Sequence, residues 1–182
     1  MPTSLVALLL LAAQPEVIER VLAVVNGRPL LLSELRVLAD LKGLAEDQAR
    51  AALIDERLMF EQAARVPQAA ATEAEVDAAC ARLGFERPEL AARVDAAELR
   101  RVVYAEAVIL KYVEFRFSPE LRVSDSDLER AYAKTYGERP DAPGLAMVAE
   151  ALKEALARRE LDQKIEAWIK ELRQGAEIRI LP

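Results

Sequence analysis

The stretch VIERVLAVVNGRPLLLSEL, residues 17–35, predicts how the fold begins. Its first part, Val17–Val25, is rich in β-branched residues and predicts a strand. Asn26-Gly27 follows between two apolar runs, which is the strongest short signal for a hairpin because both central turn positions require a positive φ. Ser33 is then the predicted N-cap of a helix that ends near Gly43. We therefore expect a strand, a tight turn and a helix.

Beyond this opening, apolar residues recur at helical spacing, and caps and breakers mark where each helix begins and ends. Thr72 and Glu75 have the spacing of a capping box, and Asp95 and Ser124 are predicted N-caps of two later helices. We predict helices over residues 45–66, 72–83 (stopped by Gly84), a short piece from 88, then 95–117, 125–136 and 145–173. The closing AEIRIL, residues 176–181, alternates as a strand does.

Strands are thus predicted only at the two ends of a helical chain. A single strand does not stand alone, because its backbone groups need partners. We therefore expect the closing strand to pair with the strand over residues 17–25. The predicted fold class is mainly α, a multi-helix domain with a small sheet that pairs the N-terminal and C-terminal strands.

The first residues form a candidate leader. The uncharged apolar run from Leu5 to Ala13 is shorter than the about 20 residues that cross a bilayer, and it fits the core of a secretory signal. We predict a signal peptide over residues 1–13, although its n-region has no Lys or Arg; a short buried helix or a misassigned start is the alternative. Residues 14–136 then form the helical domain, 137–144 a linker, and 145–182 the helix and strand that complete the same domain.

Composition excludes several kinds of site. The 182 residues include 34 Ala, 6 Gly and no His, so a histidine triad and a histidine zinc site are both excluded. The lone Cys80 has no partner for an internal disulfide. A net charge of −6 disfavours nucleic acid as the partner. Asp125 and Asp127 fit a helix N-terminus better than a calcium loop, whose glycine and distal Glu are absent. We expect no enzymatic activity, no cofactor and no metal site.

The helix over residues 95–117 is apolar over a wide arc. Either it packs against two neighbouring helices, or one side is an accessible, adaptable surface for unfolded chains; both interpretations fit the pattern. In the second, Met and aromatic side chains suit the surface because they repack around different partners. The candidate peptide-binding residues are Met59, Phe60, Leu83, Phe85, Tyr104, Tyr112 and Phe115.

Five segments, in their order along the chain, resemble the N-terminal domain of SurA-type periplasmic chaperones. They are VLAVVNGRPLLLSEL, ALIDERLMFEQAARV, TEAEVDAACARLGF, VSDSDLERAYAKTYG and EALARRELDQKIEAWIKELRQGAEIRIL. The resemblance covers essentially all of the chain after the leader. It implies the trigger factor/SurA type of fold, in which the last segment completes the domain.

Members of that family typically carry parvulin prolyl isomerase domains between these parts. Here GERPDAPG, residues 137–144, stands in that place, and the histidines that parvulin sites use are absent. The resemblance therefore implies an ATP-independent periplasmic holdase for unfolded polypeptides, outer-membrane proteins among them, without isomerase activity. The alternative is a dedicated assembly subunit that holds one specific partner. We expect no stable membrane insertion, and either a monomer or a homodimer that exchanges the terminal strand about this linker.

Overall fold

A computed structural model describes residues 19–137 and 139–181 of the chain, so the predicted signal peptide lies outside the described residues. Within those ranges the chain forms seven α-helices and three β-strands, which confirms the mainly α class with a small sheet. In chain order these are β1 (Val21–Val25), β2 (Arg28–Leu31), α1 (Leu32–Lys42), α2 (Glu46–Ala63), α3 (Glu73–Glu86), α4 (Pro88–Ala91), α5 (Ala96–Phe117), α6 (Asp125–Tyr136), α7 (Leu145–Gly175) and β3 (Ile178–Ile180). A short 3-10 turn at Pro67–Ala69 precedes α3, and another at Ser118–Glu120 follows α5.

The sheet closes the chain on itself, as the sequence predicts. Its strand order is β2-β1-β3, and both pairings are antiparallel. Asn26 (φ 49°) and Gly27 (φ 78°) form the two-residue turn between β1 and β2, in the left-handed region that this turn requires. Ala23 lies opposite Ile180 of β3, so the first and last strands are hydrogen-bonded neighbours.

Three predicted helix boundaries are wrong. The helix α2 ends at Ala63 and not at residue 66. Ser33 is not the N-cap of α1; the cap lies two residues earlier, at Leu31, whose N–H donates to Glu34 Oε2 at 2.9 Å. The Ser33 hydroxyl donates instead to Glu19 Oε2 at 2.6 Å. Gly84 does not stop α3, which continues to Glu86 before Pro88 begins the next helix. A helical glycine costs only about 1 kcal/mol relative to alanine, so the helix passes through it.

The core consists of three neighbouring clusters. The first packs the sheet against α1 and α2, the second joins α2, α5 and α7 around Trp168, and the third joins α3 to α5. Their fully buried members include Leu22, Val25, Leu30, Leu38, Val76 and Val108. The helices α2 and α5 each contribute to two of the three clusters and so join them.

The predicted linker, residues 137–144, connects α6 to α7, and its residue 138 lies outside the described part of the chain. The two helices pack against each other. The Tyr132 hydroxyl of α6 donates to the Pro143 carbonyl at 2.8 Å, and the Tyr132 and Tyr136 rings lie 5.4 Å apart between centroids. The hydrogen bond to Pro143 fastens the end of the loop to α6.

The predicted capping box of α3 is present and leads to a pH prediction. The Thr72 N–H donates to Glu75 Oε2 at 2.7 Å, and Lys111 of α5 donates to the same carboxylate at 2.9 Å. The Thr72 backbone N–H first, then Lys111 and the Thr72 hydroxyl, lower the pKa of Glu75 from its ordinary 4.5 to about 2. The carboxylate therefore adds stability above its ordinary pKa, and that stability is lost as the pH falls from 4.5 towards 2.

We expect Glu75→Gln to lower the urea midpoint of unfolding at pH 7 and to have a smaller effect at pH 3, where the carboxyl of the unfolded chain is largely protonated and has to lose its proton on folding. Circular dichroism in urea at both pH values measures the difference. Glu86→Gln, at the other end of α3 and outside the capping box, is the control for removing one carboxylate from this helix. If the urea midpoints of the wild type and of Glu75→Gln differ by the same amount at both pH values, the prediction is wrong.

Candidate functional site

A groove of about 690 Å³ lies between α2 and α5, with the first turn of α3 at one end. This volume is within the range of ligand sites, about 300–1,000 Å³. Four of its residues on α2 follow the spacing i, i+3, i+4, i+7 and so lie on one helix face. The apolar part of the lining is Leu53, Phe60, Val76, Ala97, Val102, Tyr104 and Ala105.

Two aromatic side chains form one wall of the groove. The rings of Phe60 and Tyr104 lie 6.1 Å apart between centroids, at 70° to each other, in the edge-to-face arrangement that aromatic pairs favour. Tyr104 is 38% exposed, whereas Phe60 is half-buried. The pair therefore fixes the position of an aromatic ring that a ligand can still contact.

Ion pairs flank the apolar lining, and each joins a helix of the groove to a neighbouring helix. Arg57 of α2 donates to Glu34 of α1 at 2.8 Å. Arg100 of α5 pairs with Glu73 and Asp77 of α3. The exposed pairs of Arg100 contribute about 0–1 kcal/mol each, so they shape the rim more than they stabilise the fold. The groove thus offers apolar contact inside and hydrogen-bonding charge around it.

Glu56 is the lining residue whose ionisation the groove perturbs most clearly. Burial raises the pKa of Glu56 above its ordinary value of 4.5, and a hydrogen bond from Lys42 of α1 partly offsets this effect. Nearby Glu106 and Asp55 raise the pKa further. The folded state therefore favours the protonated form of Glu56, whereas it favours the ionised form of Glu75.

We expect Glu56→Gln to gain stability relative to the wild type as the pH rises from about 4 to 7. The reason is that the folded state binds the Glu56 proton more tightly than the unfolded state, so ionisation at higher pH costs folding free energy. Urea unfolding of both proteins across this range measures the trend. A stability difference that moves against the variant with rising pH would show that the Lys42 pair outweighs burial.

The groove contains two of the seven residues that the sequence nominates for peptide binding, Phe60 and Tyr104. Tyr112 is buried and stacks on Trp168 with centroids 5.0 Å apart, so for this residue the packing interpretation holds. Met59 and Leu83 are partly buried against the second and third clusters. Phe85 (88% exposed) and Phe115 (50% exposed) are accessible but do not line the groove.

Sequence reasoning missed most of the groove. The sequence does indicate that Leu53, Arg57 and Phe60 share one face of one helix, because their spacing is helical. Nothing in the sequence around Arg28, Glu34 or Val76 indicates that these residues line the groove. They belong to β2, α1 and α3, which only tertiary packing brings to the same place.

Comparison with known proteins gives no match, either to a family model or to a curated protein. Across residues 19–137 and 139–181, no three Cys, Asp or Glu side chains are close enough together to hold a metal ion. In the same part of the chain, no helix combines the length and the apolar character needed to cross a membrane.

Proposed function

We propose that this protein is an ATP-independent periplasmic chaperone that holds unfolded polypeptide segments in the groove between α2 and α5. The observation that supports the proposal is the apolar groove of about 690 Å³ with the accessible aromatic pair Phe60–Tyr104. The sequence resemblance to SurA-type chaperones supports the same function. Outer-membrane proteins are the proposed clients, and the predicted leader is the proposed route of export.

The groove suits weak and reversible binding. Burying one client side chain of the size of Val, Leu or Phe contributes about 1.5–3 kcal/mol. A micromolar complex requires about 8 kcal/mol, so three or four such side chains supply it before the cost of ordering the client is subtracted. A complex of this strength releases its client without an energy source.

The charges around the groove suit an unfolded client. An extended chain carries backbone N–H and C=O groups without internal partners, and carboxylate and guanidinium groups bind them respectively. The pairs Arg57–Glu34 and Arg101–Glu98 present both kinds of group beside the apolar lining. The net charge of −6 favours solubility while apolar surface is exposed.

The proposal includes no prolyl isomerase activity. The loop between α6 and α7 leaves no room for a parvulin domain, and the chain has no His. A protease-coupled assay with a proline-containing peptide should therefore give the uncatalysed rate. Catalysis above that rate would contradict this part of the proposal.

Aggregation assays test the proposed function directly. Three unrelated proteins, one of them an outer-membrane β-barrel, are diluted from urea into buffer with the full chain and without ATP, and light scattering is recorded. We expect all three to be protected at near-stoichiometric ratios. Protection of one protein alone, or of none, would refute the general chaperone and favour the dedicated assembly subunit, whose single partner need not be among the three.

A further inference from the structure

The two edges of the small sheet differ in their ability to accept another strand. Val25 and Arg28 flank the two-residue turn and form a hydrogen-bonded pair, so the next pair, Val24 and Pro29, is not hydrogen-bonded. The backbone nitrogen of Pro29 therefore faces outward, where proline has no N–H to donate. This leaves the edge at β2 poorly suited to strand addition.

Within residues 19–137 and 139–181, no strand pairs with the outer edge of β3. The Asn26 N–H donates to the Glu177 carbonyl and the Leu181 N–H donates to the Leu22 carbonyl, each at 2.9 Å. Residues 177, 179 and 181 thus face β1, and by alternation Ile178 and Ile180 direct their N–H and C=O groups away from the sheet. The Ile180 side chain is 59% exposed at this edge.

Opposite charges flank Ile178, the first residue of β3. Glu177 and Arg179 are both exposed, and they lie on the same face of the strand because side chains alternate along it. Neither forms an ion pair with another residue of the described ranges, 19–137 and 139–181. The edge therefore carries a self-complementary pair of charges on either side of Ile178.

We propose that a second copy of this chain pairs with β3 edge to edge, antiparallel, about a two-fold axis at Ile178. In this register Glu177 lies opposite Arg179 of the second copy, and the same pair occurs again by symmetry. A two-fold axis at Arg179 would instead place two arginines opposite each other, which is unfavourable. Each β3 stays in its own sheet, so this dimer differs from one that exchanges the terminal strand.

The dimer is expected to be weak and reversible, since β3 spans only Ile178–Ile180 and offers few backbone hydrogen bonds. Sedimentation of the full chain from about 1 to 500 μM should show a monomer–dimer equilibrium. Arg179→Glu and Glu177→Arg each replace two attractive pairs with two repulsive ones. Each single variant should therefore weaken association by roughly ten- to a hundredfold.

The decisive measurement is a mixture of the two variants. Glu177→Arg places two arginines on one copy and Arg179→Glu places two glutamates on the other, so an equimolar mixture should form heterodimers although each variant alone is monomeric. The double variant E177R/R179E should dimerise like the wild type. A monomeric wild type, or a wild-type dimer that the single variants leave unchanged, would overturn the proposal. Circular dichroism of each variant checks that these exposed substitutions leave the fold intact.

Discussion

Trp168→Ala is expected to lower the free energy of unfolding by about 3–5 kcal/mol. Trp168 is the one buried side chain of α7, and it stacks on Tyr112 and lies 5.8 Å from the Phe117 ring. Removing the indole leaves a cavity where α7 contacts α5 and also ends two aromatic contacts, each worth about 0.5–1.5 kcal/mol beyond the buried area. Urea unfolding followed by circular dichroism at 222 nm measures the change.

Leu110→Ala is the matched control for Trp168→Ala. Leu110 belongs to α5, the helix on which Trp168 packs, but it is 60% exposed. Its removal should change stability by at most about 0.5 kcal/mol. Equal losses for the two variants would show that Trp168 does not fasten α7 to the rest of the core.

Tyr104→Glu is expected to weaken protection of unfolded clients by at least tenfold with little loss of stability. The substitution places a negative charge beside Phe60 in the apolar lining, so a client would have to desolvate that charge. Loss of one apolar contact of about 1.5–3 kcal/mol corresponds to roughly ten- to a hundredfold in affinity. Titration of the chaperone in the light-scattering assay measures the change.

Phe115→Glu provides a strict control for the groove. Phe115 is an aromatic residue of the same helix with comparable exposure, and it does not line the groove. We expect this variant to protect clients as well as the wild type does. If Phe115→Glu loses protection and Tyr104→Glu keeps it, the client surface lies on another face of α5.

The sequence predicts the parts of the fold that depend on neighbouring residues. The Asn26-Gly27 turn and the Thr72–Glu75 capping box each contain their own determinants, and both are present. Ser33 and Gly84 were misread because each has a second way to be accommodated. A partner outside the helix, Glu19, binds the Ser33 side chain, and the backbone at Gly84 accepts a helical conformation.

The candidate groove is predictable only in part, for a related reason. Phe60 and Tyr104 stand out in the sequence as aromatic residues on helical faces, but the pattern does not tell an accessible ring from a buried one. Tyr104 and Tyr112 belong to the same helix, α5, but Tyr112 is buried where Trp168, far away in the chain, stacks on it. Which sides of α5 are covered is decided by the packing of α1, α2, α3 and α7 against it, and no local pattern in the sequence indicates these contacts.

The pairing of the first strand with the last also affects when the protein folds. Synthesis runs from the N-terminus at about 5–20 residues per second, so β1 and β2 are complete long before β3 exists. The Asn26–Glu177 hydrogen bonds and the whole β1–β3 pairing must wait until residues 177–181 have been made. The sheet therefore stays incomplete while residues 26–176 are being made.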